Sequence, residues 1–294
     1  MNMVIDAHQH VWDLARSRYD WLGPDLAPID RTIEIGELLP SLVRAGVNGT
    51  VLVQSADTDE DTELMLDVAA ANPVVVGVVA YLPLANPAEV ARRIAGLRDN
   101  TLVVGVRNLI HNRPDPQWLL RPDVDESLGL LETARLTFDV VSVLPAHLAL
   151  VPTLVDRHPN LRMVIDHLSK PPIGLSDREP WWSQIADAAS SPTVFGKVSG
   201  LYSATADSGA WTPDQVRPFL GRALEVFGAS RLMYGGDWPI SILSGGYDRV
   251  WDGIHGLIDE LPAADQARIW SETATEFYGI DATRIHAAIA SRVE

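Results

Sequence analysis

The chain has 294 residues, with 23 Lys+Arg against 39 Asp+Glu and a formal net charge of −16. A chain this acidic has no general attraction for nucleic-acid phosphate or anionic lipid. It contains no cysteine. Disulfides, thiolate ligands and a cysteine nucleophile are therefore excluded, and any metal site must use histidine and carboxylate. The longest apolar stretch, 74–85, contains Gly77 and Pro83 and is too short to span a bilayer. The first residues show neither a basic start nor a long apolar run, so no export signal is read there, and the expectation is a soluble cytoplasmic protein.

Short β-rich runs recur along the chain, at 4–8, 47–54, 74–82, 102–109, 136–144, 161–167, 193–200 and 231–237. Each is nearly continuous in Val, Ile, Leu or Phe, as suits parallel strands covered on both faces. Helical segments alternate with them at 35–45, 59–71, 87–97, 124–134, 145–157, 179–189 and 212–227. Two more, 247–260 and 263–278, close the chain. Several begin at Pro, Asp or Thr and end at Gly or Asn, as helix boundaries should. Eight strands alternating with helices predict an α/β fold, a single (β/α)8 TIM barrel with C-terminal helices, slightly distorted, in one domain spanning 1–294. A doubly wound sheet would carry a glycine-rich loop after the first strand, where this chain has Asp-Ala-His-Gln-His.

In such a barrel, chemistry sits at the C-terminal ends of the strands. The first strand ends His8-Gln9-His10, and strand alternation predicts both imidazoles on one face with Asp6. The sixth ends at Asp166-His167, with Lys170 shortly after. The eighth ends Gly-Gly-Asp237-Trp238-Pro, where the glycines allow close backbone approach. Asp237 could instead cap a helix. Arg107 ends the fourth strand, where it could bind a substrate carboxylate or carbonyl or pair with a barrel carboxylate; His111 follows it. Lys197, on the seventh, reads as lying in the barrel mouth or in an ion pair inside the barrel. His147 lies just past the fifth strand, as a site residue or a first-turn residue. Lys170 reads as solvent-exposed. Trp12, Tyr19, Trp21 and Trp238 flank the same end and could stack on a sugar or a flat ring. His158, His255 and His286 fall on the opposite rim, in a helix and near the C-terminus.

The order of His8-x-His10, His167 and Asp237 resembles the amidohydrolase superfamily, in its amidohydrolase-2 branch of predicted metal-dependent TIM-barrel hydrolases. Residues 164–172, 196–200, 235–239 and Gly105-Val-Arg107 are similar to the subgroup of L-fuconolactonase- and L-rhamnonolactonase-type sugar lactonases. The resemblance covers the chain to about Gly279. It implies hydrolysis with Asp237 as general base and proton shuttle, and with His8, His10 and His167 holding a metal or polarising the scissile carbonyl. Arg107, His111, Lys197, His147, Trp21 and Trp238 would bind the substrate, a small-molecule sugar lactone. The fourth strand lacks the bridging lysine or glutamate of dinuclear members. The implied cofactor is therefore at most one divalent ion, zinc or manganese, on His8, His10, His167 and Asp237; metal-independent action stays open. Two other functions are weighed: a decarboxylase of an aromatic or dienoic acid, and a non-catalytic sugar-acid-binding protein. A homo-oligomer is compatible with the sequence.

Overall fold

The computed structural model describes residues 3–204 and 209–291. Eight parallel strands pair in sequence order: β1 (Ile5–Gln9), β2 (Gly49–Val53), β3 (Val75–Ala80), β4 (Val103–Asn108), β5 (Thr137–Val140), β6 (Met163–Ile165), β7 (Val194–Val198) and β8 (Leu232–Tyr234). Backbone bonds beyond the strand ends join the first strand to the last. Asp237 N donates to His8 O at 2.8 Å, and His10 N donates to Trp238 O at 2.7 Å. The fold is the expected TIM barrel, and its closing seam runs through the candidate site.

Surrounding helices follow the expected alternation, beginning with α1 (Leu39–Ala45), α2 (Asp59–Ala71), α3 (Pro87–Asp99) and α4 (Pro122–Ala134). Local signals set their ends. Thr58 caps α2 by accepting from Asp61 N, and three acidic residues fill that helix's first turn. Gly46, at φ 70°, terminates α1. The single helix expected over 145–157 is two, α5 (Pro145–Leu148) and α6 (Val151–Arg157), with Pro152 opening the second. Next come α7 (Trp181–Ala189), α8 (Pro213–Phe227) and α9 (Tyr247–Ile258). The segment expected as one helix over 263–278 carries a π-turn at Arg268–Glu272 between α10 (Ala263–Ala267) and α11 (Thr273–Tyr278).

A further helix, α12 (Ala282–Ala290), was not expected. It has a structural task. Ile285 and Ala288 join Phe277 and Tyr278 in one buried cluster with the barrel-lining Ile5, Val51, Val104 and Met233. The C-terminal helices thus complete the barrel's inner core. Among the described residues no helix is long and apolar enough to cross a membrane.

Candidate active site

Strand alternation does not carry through β1. Its register slips between Asp6 and Gln9. Asp6 therefore leaves the histidine face and accepts from Gly236 N at 2.9 Å and Tyr247 OH at 2.7 Å, also bonding Gln9. It braces the β8 turn instead of joining the site.

Four candidate residues do converge. His8 Nε2 lies 3.1 Å from His10 Nε2. Asp237 Oδ1 lies 3.5 Å from His10 Nε2 and 3.8 Å from His8 Nε2, and its Oδ2 lies 3.9 Å from His167 Nδ1. All four are buried. Left-handed backbone aims two of them: Asp237 has φ 52°, and His167 to Lys170 form an unbroken run at φ 46–60°. Such conformations are disfavoured outside glycine and persist where the surroundings impose them, often at functional sites.

Burial pushes the His167 imidazole down to about 4, against the opposing pull of Asp237. Burial, then the nearby Lys197 ammonium, holds His8 well below the ordinary imidazole range. Both rings are neutral at pH 7. Burial alone would raise Asp237, but His167, His10 and His8 outweigh it and hold the carboxyl below the usual carboxylate range. The site therefore presents neutral imidazoles around an ionised carboxylate. Ligand atoms of His8, His167 and Asp237 lie within 4.8 Å of one another. By donor type and spacing this set fits one divalent ion of the zinc kind.

Above these groups opens a cavity of about 340 Å3, lined by His10, His167 and Asp237. Of the expected substrate-binding residues, Arg107, His111 and Trp21 reach it, and three do not. Lys197 is wholly buried within the barrel, paired with Asp139 Oδ2 at 2.5 Å and Asp166 Oδ1 at 3.1 Å. His147, in α5, is buried, and its Nδ1 accepts from Val143 N at 3.5 Å. Trp238 is buried in the main core. These three, expected to bind substrate, lie outside the cavity lining. Arg107 reaches the cavity but is also engaged: it donates to Asp166 Oδ2 at 2.9 Å and to Gln54 O.

Lys170 is corrected in the other direction. It lines the cavity and donates to Ser203 Oγ at 3.3 Å. The left-handed run turns it back over the site, a backbone path no residue pattern announces. Leu26, Ile29, Ile240 and Leu243 form an apolar wall that sequence reasoning missed. Of the rim aromatics, Trp12 and Tyr19 are packed, donating to Arg31 O and Asp61 Oδ1; Trp21 is held at the cavity by its bond to Ser55 O.

The barrel and its His-x-His, His, Asp constellation define a class. The amidohydrolase family pattern matches residues 5–280, and the chain belongs to that family. Among its relatives is an L-fucono-1,5-lactonase of Burkholderia ambifaria, 34% identical over 287 residues, covering 96% of this chain and 97% of the relative. Another L-fucono-1,5-lactonase, from Burkholderia multivorans, is 28% identical, covering 94% and 96%. A solved amidohydrolase structure from Burkholderia multivorans with bound zinc superposes at TM-score 0.87. It is 27% identical, covering 95% of this chain and all of the other.

Proposed function

We propose that this protein hydrolyses a sugar-derived 1,5-lactone to its hydroxy acid, with Asp237 as general base. One observation carries the reading: an ionised carboxylate at the floor of a monosaccharide-sized cavity, beside the imidazoles of His10 and His167 that line it and with His8 buried behind. The names of the two lactonase relatives point to L-fucono-1,5-lactone, and the sequence motifs add L-rhamnonolactone as a close alternative.

The chemistry follows from the placement. A lactone is an ester, and its carbonyl carbon accepts water once that water is losing a proton. Asp237 takes the proton as the new C–O bond forms. The His167 ring, which lines the cavity, is placed to donate to the developing oxyanion. The ring C–O bond then breaks, Asp237 returns the proton to the departing ring oxygen, and the open hydroxy acid leaves. His111 and Lys170 read the sugar hydroxyls, and the apolar wall takes the C–H face or a deoxy methyl group. If a divalent ion is bound, His8, His167 and Asp237 hold it with His10 alongside, and it adds Lewis-acid polarisation of the carbonyl.

The decarboxylase alternative asks for an arginine free to grip a carboxylate. Arg107 is instead committed to Asp166 and Gln54. A panel of aldonolactones, read by acid release with a pH indicator, with and without chelator, tests the proposal. Turnover of a 1,5-aldonolactone is the expected result. Inertness toward the whole panel in both conditions contradicts it.

A further inference from the structure

Lys197 has no part in the steps above, yet it is a fully buried cation against the catalytic cluster. Its ammonium carries three protons and no lone pair, so it can only donate. Three atoms surround it: Asp139 Oδ2 at 2.5 Å, Asp166 Oδ1 at 3.1 Å and His8 Nδ1 at 3.1 Å. His8 Nδ1 must therefore accept, which leaves the ring proton on Nε2. Asp166 Oδ1 lies 3.4 Å from the same Nδ1, farther than the 3.1 Å that separates Nδ1 from the ammonium. Its other oxygen is taken by Arg107.

The next link agrees. His10 Nδ1 lies 2.7 Å from the carbonyl of Val53, which can only accept. His10 therefore carries its proton on Nδ1, and its bare Nε2 faces His8 Nε2 at 3.1 Å. With His8 protonated on Nε2, Lys197 donates to His8 Nδ1, His8 to His10 Nε2 and His10 to the Val53 carbonyl. The other tautomer sets an N–H against the ammonium and two lone pairs against each other.

We propose that Lys197 is a positioning residue that fixes His8 as the Nε2–H tautomer, so that His8 turns a proton and not a lone pair toward His10 and Asp237. Within the lactonase reading, on which its catalytic meaning rests, His8 then holds the His10 ring in place beside the Asp237 base. A divalent ion could use His8 Nε2 only after the proton moves to Nδ1 and finds Asp166. Lys197 thus opposes metal binding by His8.

Nitrogen-15 NMR of the histidine-labelled, metal-free full chain at neutral pH tests this, with His8 assigned by its loss in His8→Asn. The expected result is an unprotonated Nδ1 and a protonated Nε2 on His8. The reverse pattern overturns the proposal. Zinc titration adds a second reading on the pair Lys197→Met and Asp139→Asn, which removes one charge of each sign. Outer-shell changes alter metal affinity by about tenfold or more, and here the expected direction is tighter binding. Unchanged or weaker zinc affinity in the folded variant overturns the proposal; if the variant does not fold, the NMR pattern decides. Neither measurement uses a substrate. Failure of the lactone panel with the expected tautomer present sinks the lactonase reading alone.

Discussion

Gly200 lies directly against Asp237: a Cβ built on it would stand 2.7 Å from Asp237 Oδ2 and 2.6 Å from His167 Nδ1. Its φ of 56° also disfavours any side chain. Gly200→Ala must push the carboxylate or the imidazole aside. Misplacement of a reacting group by about 1 Å can cost about a hundredfold in rate. Lactone turnover in this variant should fall by that order while the protein stays folded by circular dichroism. Near-normal turnover would show that the Asp237–His167 spacing is not used.

Stability should respond to acid through His167. Its ordinary value is 6.5 and its folded value about 4. Between these the unfolded chain binds more protons, so stability is full above about pH 6.5 and is lost as pH falls toward 4. The contribution is at most about 3 kcal/mol. Burial raises Asp6 to about 6, which acts in the opposite sense over an overlapping range. The clean readout is therefore a difference. In chelator, denaturant midpoints of the native chain should drop more steeply between pH 6.5 and 4 than those of His167→Gln. Parallel profiles would count against a neutral buried His167.

Lys170 should act on binding more than on chemistry. Hydrogen bonds from a charged group are worth about 1.5–3 kcal/mol, so Lys170→Met should raise KM about tenfold or more with kcat little changed. A loss confined to kcat would place Lys170 in the reacting machinery instead.

Arg107 and Asn108 end β4, where a dinuclear site would need a bridging carboxylate or carboxylated lysine. Elemental analysis after purification in zinc should therefore give no more than one equivalent per chain. Two equivalents would show ligands outside the described cluster.

Much of this was legible in the residues. All eight apolar runs became strands, because a buried parallel strand has no polar face to blur its pattern. His8, His10, His167 and Asp237 were legible because strand ends map onto one rim of a barrel. Depth was not. Lys197 shares a face with Ser199, but strand parity does not say whether a side chain stops in the mouth or lies among Asp139 and Asp166. Local irregularity was hidden too: the β1 slip that diverts Asp6 and the left-handed run that returns Lys170 both arise from tertiary packing. The inward face of α12 emerges only once the barrel has an open end to fill.

Asp237→Asn tests the central claim most directly. The amide keeps the size of the side chain but cannot accept the proton of water. Initial rates of 1,5-aldonolactone opening by acid release should fall toward the upper end of the ~10²–10⁴-fold range of general-base removal, because one residue serves as base and then acid. Substrate affinity should be little changed. A variant keeping more than about a tenth of native turnover, against that expected loss, would contradict the account and leave the mechanism without its base.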